Sequence, residues 1–223
     1  TANDVARLLK VDPGRIRVIP NGVDPALGPV TDRELLEEWC TRHGIDRPYL
    51  LFAGTFEPRK NIPLLLEAFA RLRRQLDMVL VLLGARGWLF KPTFERIETL
   101  GLADHVRILE HQPRDDWAIA YSGASVAVTP SLYEGFGLPV LEAMACGAPV
   151  VSSNASSLPE VVGEAGLLYQ SDSVESLEAA LLSVLGDAGL AARLQSAGFA
   201  RAREFSWVRA AESTLHVYRE VAA

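Results

Sequence analysis

A chain of 223 residues, 49% of them hydrophobic and 22% charged, has the composition of an ordinary globular protein. Its formal charge of −6 at pH 7 argues against a nucleic-acid-binding protein, because binding to phosphates needs a basic surface. Cys40 and Cys146 are too few to predict a disulfide framework or a zinc site, and reduced thiols favour a cytoplasmic protein. The longest apolar runs are too short to span a bilayer.

The N-terminal part of the chain predicts small, irregular elements. A helix ending at Pro13-Gly14 should be followed by a short strand over residues 16–19 and a turn at Asn21-Gly22, where positive φ is available. A polar, amphipathic helix then runs from Thr31 to about His43 and is stopped by the glycine that follows.

From residue 49 onward, short apolar runs alternate with helical patterns. The predicted strands are residues 49–53, 78–83, 106–109, 125–129, 149–152 and 167–169. Helices are predicted to begin near residues 61, 90, 115, 139 and 158, and the tail to be helical over 174–185, 189–204 and 207–221. Apolar strands alternating with helices are typical of a parallel sheet buried on both faces. The predicted fold is therefore α/β, a Rossmann-like doubly wound parallel sheet with a helical C-terminal tail.

Ligands of such sheets bind in the loops that follow the carboxyl ends of the strands. One such loop lies in "AGTFEPRKNIPLLLEAF", where Gly54 allows a tight turn and Arg59 and Lys60 precede a helix. Two cations beside the positive end of a helix are unfavourable unless an anion is also present. A diphosphate would supply that anion, since arginine grips phosphate bidentately and lysine acts as a point charge. The alternative is that both side chains are solvated surface residues.

A second loop lies in "PSLYEGFGLPVLEAMACGAPVV", which places Glu142 in a short helix that is apolar on all sides. We expect Glu142 in the first turn of this helix, where it could simply complement the helix dipole. However, an apolar helix is buried, and a buried carboxylate needs hydrogen-bond donors, such as the two hydroxyls of a ribose.

Glu134 precedes Gly135 and Gly137, whose flexible backbone lets amide groups approach a ligand closely. In this position Glu134 could accept hydrogen bonds from sugar hydroxyls or stabilise a positively charged transition state. The spacing of the two glutamates alone is a weak signal, but the surrounding strand, glycine loop, proline and helix make it specific.

The stretch "EGFGLPVLEAMACGAPVV" resembles the carboxylate-pair motif of the retaining, GT-B-fold glycosyltransferases of family 4, the glycosyl transferases group 1. "RIRVIPNGVD", "AGTFEPRKNIPLLLEAF", "LLGARGW", "VVSSNASSLPEVVGEAGLLY" and "FSW…VYRE" match the same family in the same order. The resemblance implies that Glu134 contacts the donor sugar, that Glu142 holds the ribose, and that Arg59 and Lys60 meet the diphosphate. Many relatives carry arginine where this chain has Thr55, which makes the role of Arg59 less secure than that of Lys60.

The resemblance also implies a set of site residues, with no cofactor and no metal. Catalytic roles fall to Glu134, Lys60 and Arg59. The loop 110–112 would lie near the nucleobase. The implied donor-binding residues are Gly54, Thr55, Arg59, Lys60, Glu110, His111, Glu134, Gly135, Phe136, Gly137, Leu138 and Glu142.

Family members have two domains, and this chain resembles the C-terminal, donor-binding one. Residues 1–24 would be a remnant of the N-terminal domain and the crossover, 25–205 the nucleotide-sugar-binding domain, and 206–223 the C-terminal helix. The segments "GTFEPRKN" and "GARGW" look most like bacterial mannosyltransferases, so the expected parent enzyme moves a mannosyl group from GDP-mannose to a sugar or lipid-linked acceptor, as in polysaccharide biosynthesis. The absent N-terminal domain would bind the acceptor. Two locations fit: the cytoplasm, and the inner membrane face reached through a peripheral contact of that absent domain.

Two other functions remain open from the sequence. The chain could be a non-catalytic module that binds nucleotide or glycan without turnover, since half of the expected active site is missing. A nucleotide-dependent oxidoreductase is the other, but Gly84-Ala85-Arg86-Gly87 does not have the Gly-x-Gly-x-x-Gly spacing of a dinucleotide-binding loop.

Several further residues are expected to be structural. Asp115 and the pair Ser156-Ser157 read as helix caps. Trp207 and Tyr218 are expected to pack against the body of the protein. Trp88 is expected to be a packing residue, with a cleft-facing role as the alternative.

Overall fold

A six-stranded parallel sheet forms the centre of the computed structural model, which describes residues 2–222. Each strand begins and ends within one residue of its predicted position. The strands are Tyr49–Ala53 (β1), Val79–Gly84 (β2), Val106–Glu110 (β3), Val126–Thr129 (β4), Val150–Ser153 (β5) and Leu167–Tyr169 (β6).

The strand order is β3-β2-β1-β4-β5-β6, with every neighbouring pair parallel. In β1, Leu51 lies opposite Val81 of β2 on one side and Ala127 of β4 on the other. The chain therefore builds outward from β1 to β3 and then returns to the other side of β1 with β4. Such a reversal leaves a crevice at the carboxyl ends of the two strands, which is where open α/β sheets bind ligands.

Helices cover both faces of this sheet. The helices of the described residues, of which α1 and α10 bury no residue, are Ala2–Leu9 (α1), Arg33–Arg42 (α2), Ile62–Leu72 (α3), Lys91–Thr99 (α4), Arg114–Ser122 (α5), Leu138–Ala145 (α6), Leu158–Val162 (α7), Val174–Gly186 (α8), Ala188–Ala202 (α9) and Trp207–Ala222 (α10). Successive β1 side chains enter different cores: Leu51 packs with residues of α2, α5 and α6, whereas Leu50 packs with residues of α3 and α8. Because both faces are buried, the strands read as continuous apolar runs. The predicted doubly wound parallel sheet with its helical tail is confirmed.

The predicted strand over residues 16–19 is wrong. After α1 and a short 3₁₀ turn at Pro13–Arg15, these residues form no ladder with the sheet and instead line a cavity. Asp12 stabilises the preceding turn, since its Oδ1 accepts from the Gly14 amide at 2.9 Å. An apolar run without a neighbouring strand edge has no hydrogen-bond partner for its backbone, so β-propensity alone does not make it a strand.

The expected turn at Asn21-Gly22 is also absent, and Gly22 does not have positive φ. Glycine is needed there because the chain passes against the beginning of α10: a Cβ on Gly22 would lie 2.1 Å from the Trp207 backbone nitrogen. The neighbouring Val23 amide donates to the Phe205 carbonyl at 3.2 Å, which fixes this crossing.

The terminal helix α10 packs less than its sequence suggests. None of its described residues is buried, and Tyr218 is 68% exposed, so the expectation that Tyr218 packs on the body is wrong. Trp207 is half-exposed, with its backbone against Gly22. Within residues 2–222, no helix combines the length and the apolar character that crossing a membrane requires.

Candidate functional site

The loops after β1 and β4 meet at the point where the strand order reverses. The first carries Arg59 and Lys60 and the second carries Glu134, so residues about 75 positions apart become neighbours. A backbone hydrogen bond of 2.8 Å from the Leu132 amide to the Arg59 carbonyl joins the two loops. The fold thereby assembles cations and a carboxylate at the edge where a ligand is expected.

Lys60 and Glu134 form a buried ion pair. Their exposures are 5% and 6%, and the Lys60 Nζ lies 2.6 Å from Glu134 Oε1. The same oxygen accepts from Ser131 Oγ at 2.7 Å, and Oε2 accepts from Arg59 Nη1 at 2.7 Å. Three protein donors therefore satisfy the carboxylate, which offsets the cost of burying its charge.

These contacts shift the protonation of Glu134. Burial by itself would raise the pKa of Glu134, but the hydrogen bond and charge of Lys60, followed by the hydrogen bonds from Ser131 and Arg59, outweigh it. The net result is a pKa below the ordinary glutamate value, so Glu134 is ionised near neutral pH.

The stability contributed by Glu134 is expected to be fully present near neutral pH and to be lost as the pH falls below the ordinary glutamate pKa of about 4.3. A carboxyl whose pKa is lower in the folded chain binds fewer protons there than in the unfolded chain, so acid favours unfolding. Urea unfolding between about pH 7 and about pH 3 measures this for the unmodified chain and Glu134→Gln. Their difference in unfolding free energy should shrink on the acid side, and a difference that stays constant would contradict the ion pair.

Two serines, predicted to cap a helix, instead hold the backbone of the Glu134 loop. Ser156 Oγ accepts from the Glu134 amide at 2.8 Å and donates to the Glu134 carbonyl at 2.9 Å. Ser157 Oγ lies 3.0 Å from the same carbonyl and 2.8 Å from that of Phe136. Neither hydroxyl caps α7. Because the loop's carbonyls need donors, the serine hydroxyls bond across to the loop rather than to their own helix.

Glu142 is the fifth residue of α6, not a first-turn residue as predicted, so the dipole interpretation of Glu142 is wrong. The residue is 8% exposed, and its two carboxylate oxygens accept from Arg114 Nη2 at 2.6 Å and from Tyr121 Oη at 3.1 Å. The expectation that this apolar helix is buried is confirmed. Part of the hydrogen-bonding capacity of Glu142 is thus taken by protein, and its remaining lone pairs are available to a ligand.

The sequence predicts no individual role for Arg114, although it closely follows the loop 110–112 that is predicted to lie near the nucleobase. It begins α5, so Pro113 and not Asp115 occupies the N-cap position, and the capping role predicted for Asp115 is wrong. Burial lowers the pKa of Arg114, but its hydrogen bond to Glu142 and the charge of that residue raise it overall. Arg114 also lies 5.3 Å above the Trp117 ring.

A cavity of about 410 Å³ opens between these loops. Seven of the predicted site residues line it, namely Gly54, Thr55, Arg59, Lys60, His111, Leu138 and Glu142. Gln112, in the loop predicted to lie near the nucleobase, lines the cavity as well. The sequence predicted no individual binding role for the other lining residues, which share no motif: Gly84, Ala85, Arg114, Trp117 and Pro139. His111 holds positive φ of 55°, which presents the loop after β3 to this cavity.

The other predicted site residues lie outside that lining. Glu110 pairs with Arg86, with 2.9 Å between Oε1 and Nε. Gly137 occupies the N-cap position of α6 with φ of 117°, where glycine is favoured. Gly135 and Phe136 line a separate cavity of about 540 Å³, together with residues 16–21 and with residues of α1 and α7. Glu134 lines neither of these two cavities; it contacts Lys60 and Arg59, which line the one of about 410 Å³.

The loops after β1 and β2 pack backbone to backbone. Phe56 donates to the Ala85 carbonyl at 2.8 Å, and Gly87 donates to the Phe56 carbonyl at 3.0 Å. A Cβ on Gly84 would lie 1.9 Å from the Gly54 carbonyl oxygen, so only glycine fits at position 84. This contact fixes the path of the chain that leads to Arg59 and Lys60.

Trp88 is 60% exposed, so the packing role predicted for it is wrong. Its indole Nε1 donates to Glu57 Oε2 at 3.1 Å, and Glu57 Oε1 lies 2.6 Å from Arg59 Nη2. This hydrogen bond satisfies the indole N–H, which needs an acceptor. Arg59 is therefore held between two carboxylates, Glu57 and Glu134.

Comparison with known proteins finds a matching family model and several similar proteins. Residues 37–201 match the family model described as glycosyl transferases group 1. O-antigen chain mannosyltransferase B of Escherichia coli is 42% identical over 77% of this chain and 45% of its own length. MMP alpha-(1->4)-mannosyltransferase of Mycolicibacterium hassiacum is 36% identical over 100% of this chain and 53% of its own length.

Among solved structures, sucrose-phosphate synthase from Thermosynechococcus elongatus superposes with a TM-score of 0.84 at 28% identity. The superposition covers 98% of this chain and 55% of the synthase. This chain thus spans about half the length of the curated relatives it matches, at 45% and 53%. The resemblance seen in the glutamate motif is confirmed, and the chain belongs to the glycosyl transferases group 1 family.

Proposed function

We propose that this chain is the donor-binding part of a retaining glycosyltransferase that moves a hexosyl group from a nucleoside diphosphate sugar to a sugar or lipid-linked acceptor. The observation that carries the proposal is the meeting of Lys60, Arg59 and Glu134 at the strand-order reversal, beside a cavity that Glu142 also lines. That position and that chemistry suit a ligand with an anionic centre and several hydroxyls.

Each charged group has a role that its surroundings support. Lys60 and Arg59 would bind the diphosphate and stabilise the negative charge that builds on it as the glycosidic bond breaks, an effect that fixed charges provide without reorganisation. Glu142, held by Arg114 and Tyr121, would accept from the ribose hydroxyls. Glu134 would accept from hydroxyls of the transferred sugar.

The preferred donor is GDP-mannose. The support is that two relatives, at 42% and 36% identity, are named mannosyltransferases. The acceptor would be bound by the part of the relatives that this chain does not span. The site would work in the cytoplasm or, through that other part, at the inner membrane face.

A second function is favoured by one specific observation. The residues given a role above, Lys60, Arg59, Glu134 and Glu142, would all bind the donor, and binding of a donor by itself needs no turnover. In that case the chain acts as a nucleotide-sugar-binding module. Transfer of sugar to an added acceptor by this chain alone would exclude the module, whereas hydrolysis of the donor would not, since water can replace an acceptor.

Calorimetric titration with GDP, UDP, GDP-mannose and UDP-glucose tests the proposal. We expect selective binding of one nucleotide, weakened about tenfold or more by Glu142→Ala, because hydrogen bonds to a charged group contribute about 1.5 to 3 kcal/mol. The matched control is Glu212→Ala, which removes an exposed glutamate of α10 and should leave binding unchanged. Binding that survives Glu142→Ala at full strength would contradict the ribose role.

A further inference from the structure

The diphosphate-binding residues of the proposed function are already neutralised by protein. Two cations, Lys60 and Arg59, contact two carboxylates, Glu134 and Glu57, so the four side chains carry no net charge. An incoming diphosphate therefore meets a balanced cluster and not a free pair of positive charges. Attraction between the cluster and the anion is weak until one carboxylate moves away.

The geometry singles out Glu134 as the carboxylate that must move. It is the one that contacts both cations, at 2.6 Å from Lys60 and 2.7 Å from Arg59, whereas Glu57 contacts Arg59 from the side of Trp88. Lys60 is 5% exposed, so water can hardly replace Glu134 as the hydrogen-bond partner of its ammonium group. A ligand that binds Lys60 competes directly with this carboxylate.

We propose that Glu134 is an internal counter-ion that the diphosphate displaces from Lys60 and Arg59, and that hydroxyls of the donor sugar then replace these two lost donors to the carboxylate. This inference rests on the proposed function. Ser156 and Ser157 hold the backbone at the Glu134 and Phe136 carbonyls, so the exchange needs rotation of the side chain and not movement of the loop.

The exchange makes Glu134 a determinant of specificity for the intact donor. A nucleoside diphosphate without sugar displaces Glu134 and leaves a buried carboxylate short of donors, which is costly. A nucleotide sugar displaces it and supplies hydroxyl donors in return. The same difference favours release of the nucleoside diphosphate once the sugar has been transferred.

The test measures affinities for inorganic pyrophosphate, for the nucleoside diphosphate that the chain prefers, and for its sugar nucleotide. Glu134→Gln should bind pyrophosphate and the nucleoside diphosphate about tenfold more tightly than the unmodified chain, because a charge-assisted hydrogen bond no longer has to be broken. Its preference for the sugar nucleotide over the diphosphate should be lost. Ser131→Ala, which removes one donor to Glu134, should shift pyrophosphate affinity in the same direction by less.

Glu57→Gln is the matched control, because it removes the same charge from Arg59 but leaves Glu134 in place. Pyrophosphate should bind more tightly to this variant as well, while the preference for the sugar nucleotide should be retained. If both variants lose that preference equally, the effect is one of net charge and the exchange is overturned.

The outcomes separate this inference from the function beneath it. If the unmodified chain binds nucleotide and Glu134→Gln binds pyrophosphate no more tightly, the counter-ion role is overturned and the donor site stands. If Glu134→Gln alone binds pyrophosphate, the counter-ion role stands without a nucleotide site. Absence of binding in every variant overturns both.

Discussion

Replacing Lys60 by methionine (Lys60→Met) is expected to lower the free energy of unfolding by about 3 kcal/mol and to abolish nucleoside diphosphate binding. Methionine keeps the length of the side chain but removes the charge that lies 2.6 Å from Glu134. Removing one partner of a buried ion pair leaves the other charge uncompensated, which costs more than the pair itself contributes. Arg59 and Ser131 still donate to Glu134, so the loss should lie at the lower end for buried pairs.

A double variant separates stability from binding. Lys60→Met with Glu134→Gln should regain most of the lost stability, because no buried charge is left without a partner, but it should still bind no diphosphate. Lys91→Met, at the exposed start of α4, should change stability by less than about 0.5 kcal/mol. Urea unfolding and calorimetry give the two quantities. A Lys60→Met chain as stable as the unmodified one would mean that Glu134 is adequately solvated without Lys60.

Much of the fold could be predicted because the sheet is buried on both faces. The wholly buried strands β1, β2 and β4 are short and almost entirely apolar runs, and the alternation of such runs with helical patterns indicates the parallel arrangement. The same rule failed for residues 16–19, whose apolar pattern resembles a strand but which have no strand beside them. Backbone pairing depends on a neighbour that lies far away in sequence, and local pattern does not report it.

The candidate site was predicted less completely, for the same reason. The glutamates and the Arg59-Lys60 pair stand out because glycines, prolines and helix starts surround them. Their partners do not: Arg114 and Tyr121 contact Glu142 from a different helix, 28 and 21 positions earlier in the chain. The sequence shows that a buried Glu142 carboxylate needs hydrogen-bond donors. It does not show which side chains supply them, because that depends on how α5 packs beside α6.

The serines that hold the Glu134 loop show the limit of short-range rules. Ser156 and Ser157 stand immediately before a helix, where serine is a common cap, yet their hydroxyls bond to the backbone of residues 134 and 136. A hydroxyl bonds to whichever unsatisfied backbone group the fold brings near. In this protein the two hydroxyls bond to carbonyls of the loop between β4 and α6 and not to amides of the first turn of α7.

Gly84→Ala is expected to destabilise the chain by at least about 3 kcal/mol and to impair nucleotide binding, since added atoms in a packed interior force backbone shifts. The new Cβ would lie 1.9 Å from the Gly54 carbonyl oxygen and 2.7 Å from its carbon, and both are backbone atoms that cannot rotate away. Relief requires the loops after β1 and β2 to separate. Gly54 lies against Lys60, since a Cβ there would be 3.5 Å from Nζ, so separation also displaces the proposed diphosphate site.

The control for this steric argument is Gly28→Ala, where no atom lies within 4 Å of the added Cβ and φ is not positive. That variant should be neutral or slightly stabilising, because alanine lowers the conformational entropy of the unfolded chain. Both variants remove one glycine, so the difference between them measures the contact between Gly84 and Gly54 together with the strain of alanine at the φ of 157° that Gly84 adopts. If Gly84→Ala unfolds at the same urea concentration as Gly28→Ala, the two loops do not need to touch, and the position of Lys60 must be fixed by its ion pair with Glu134 alone.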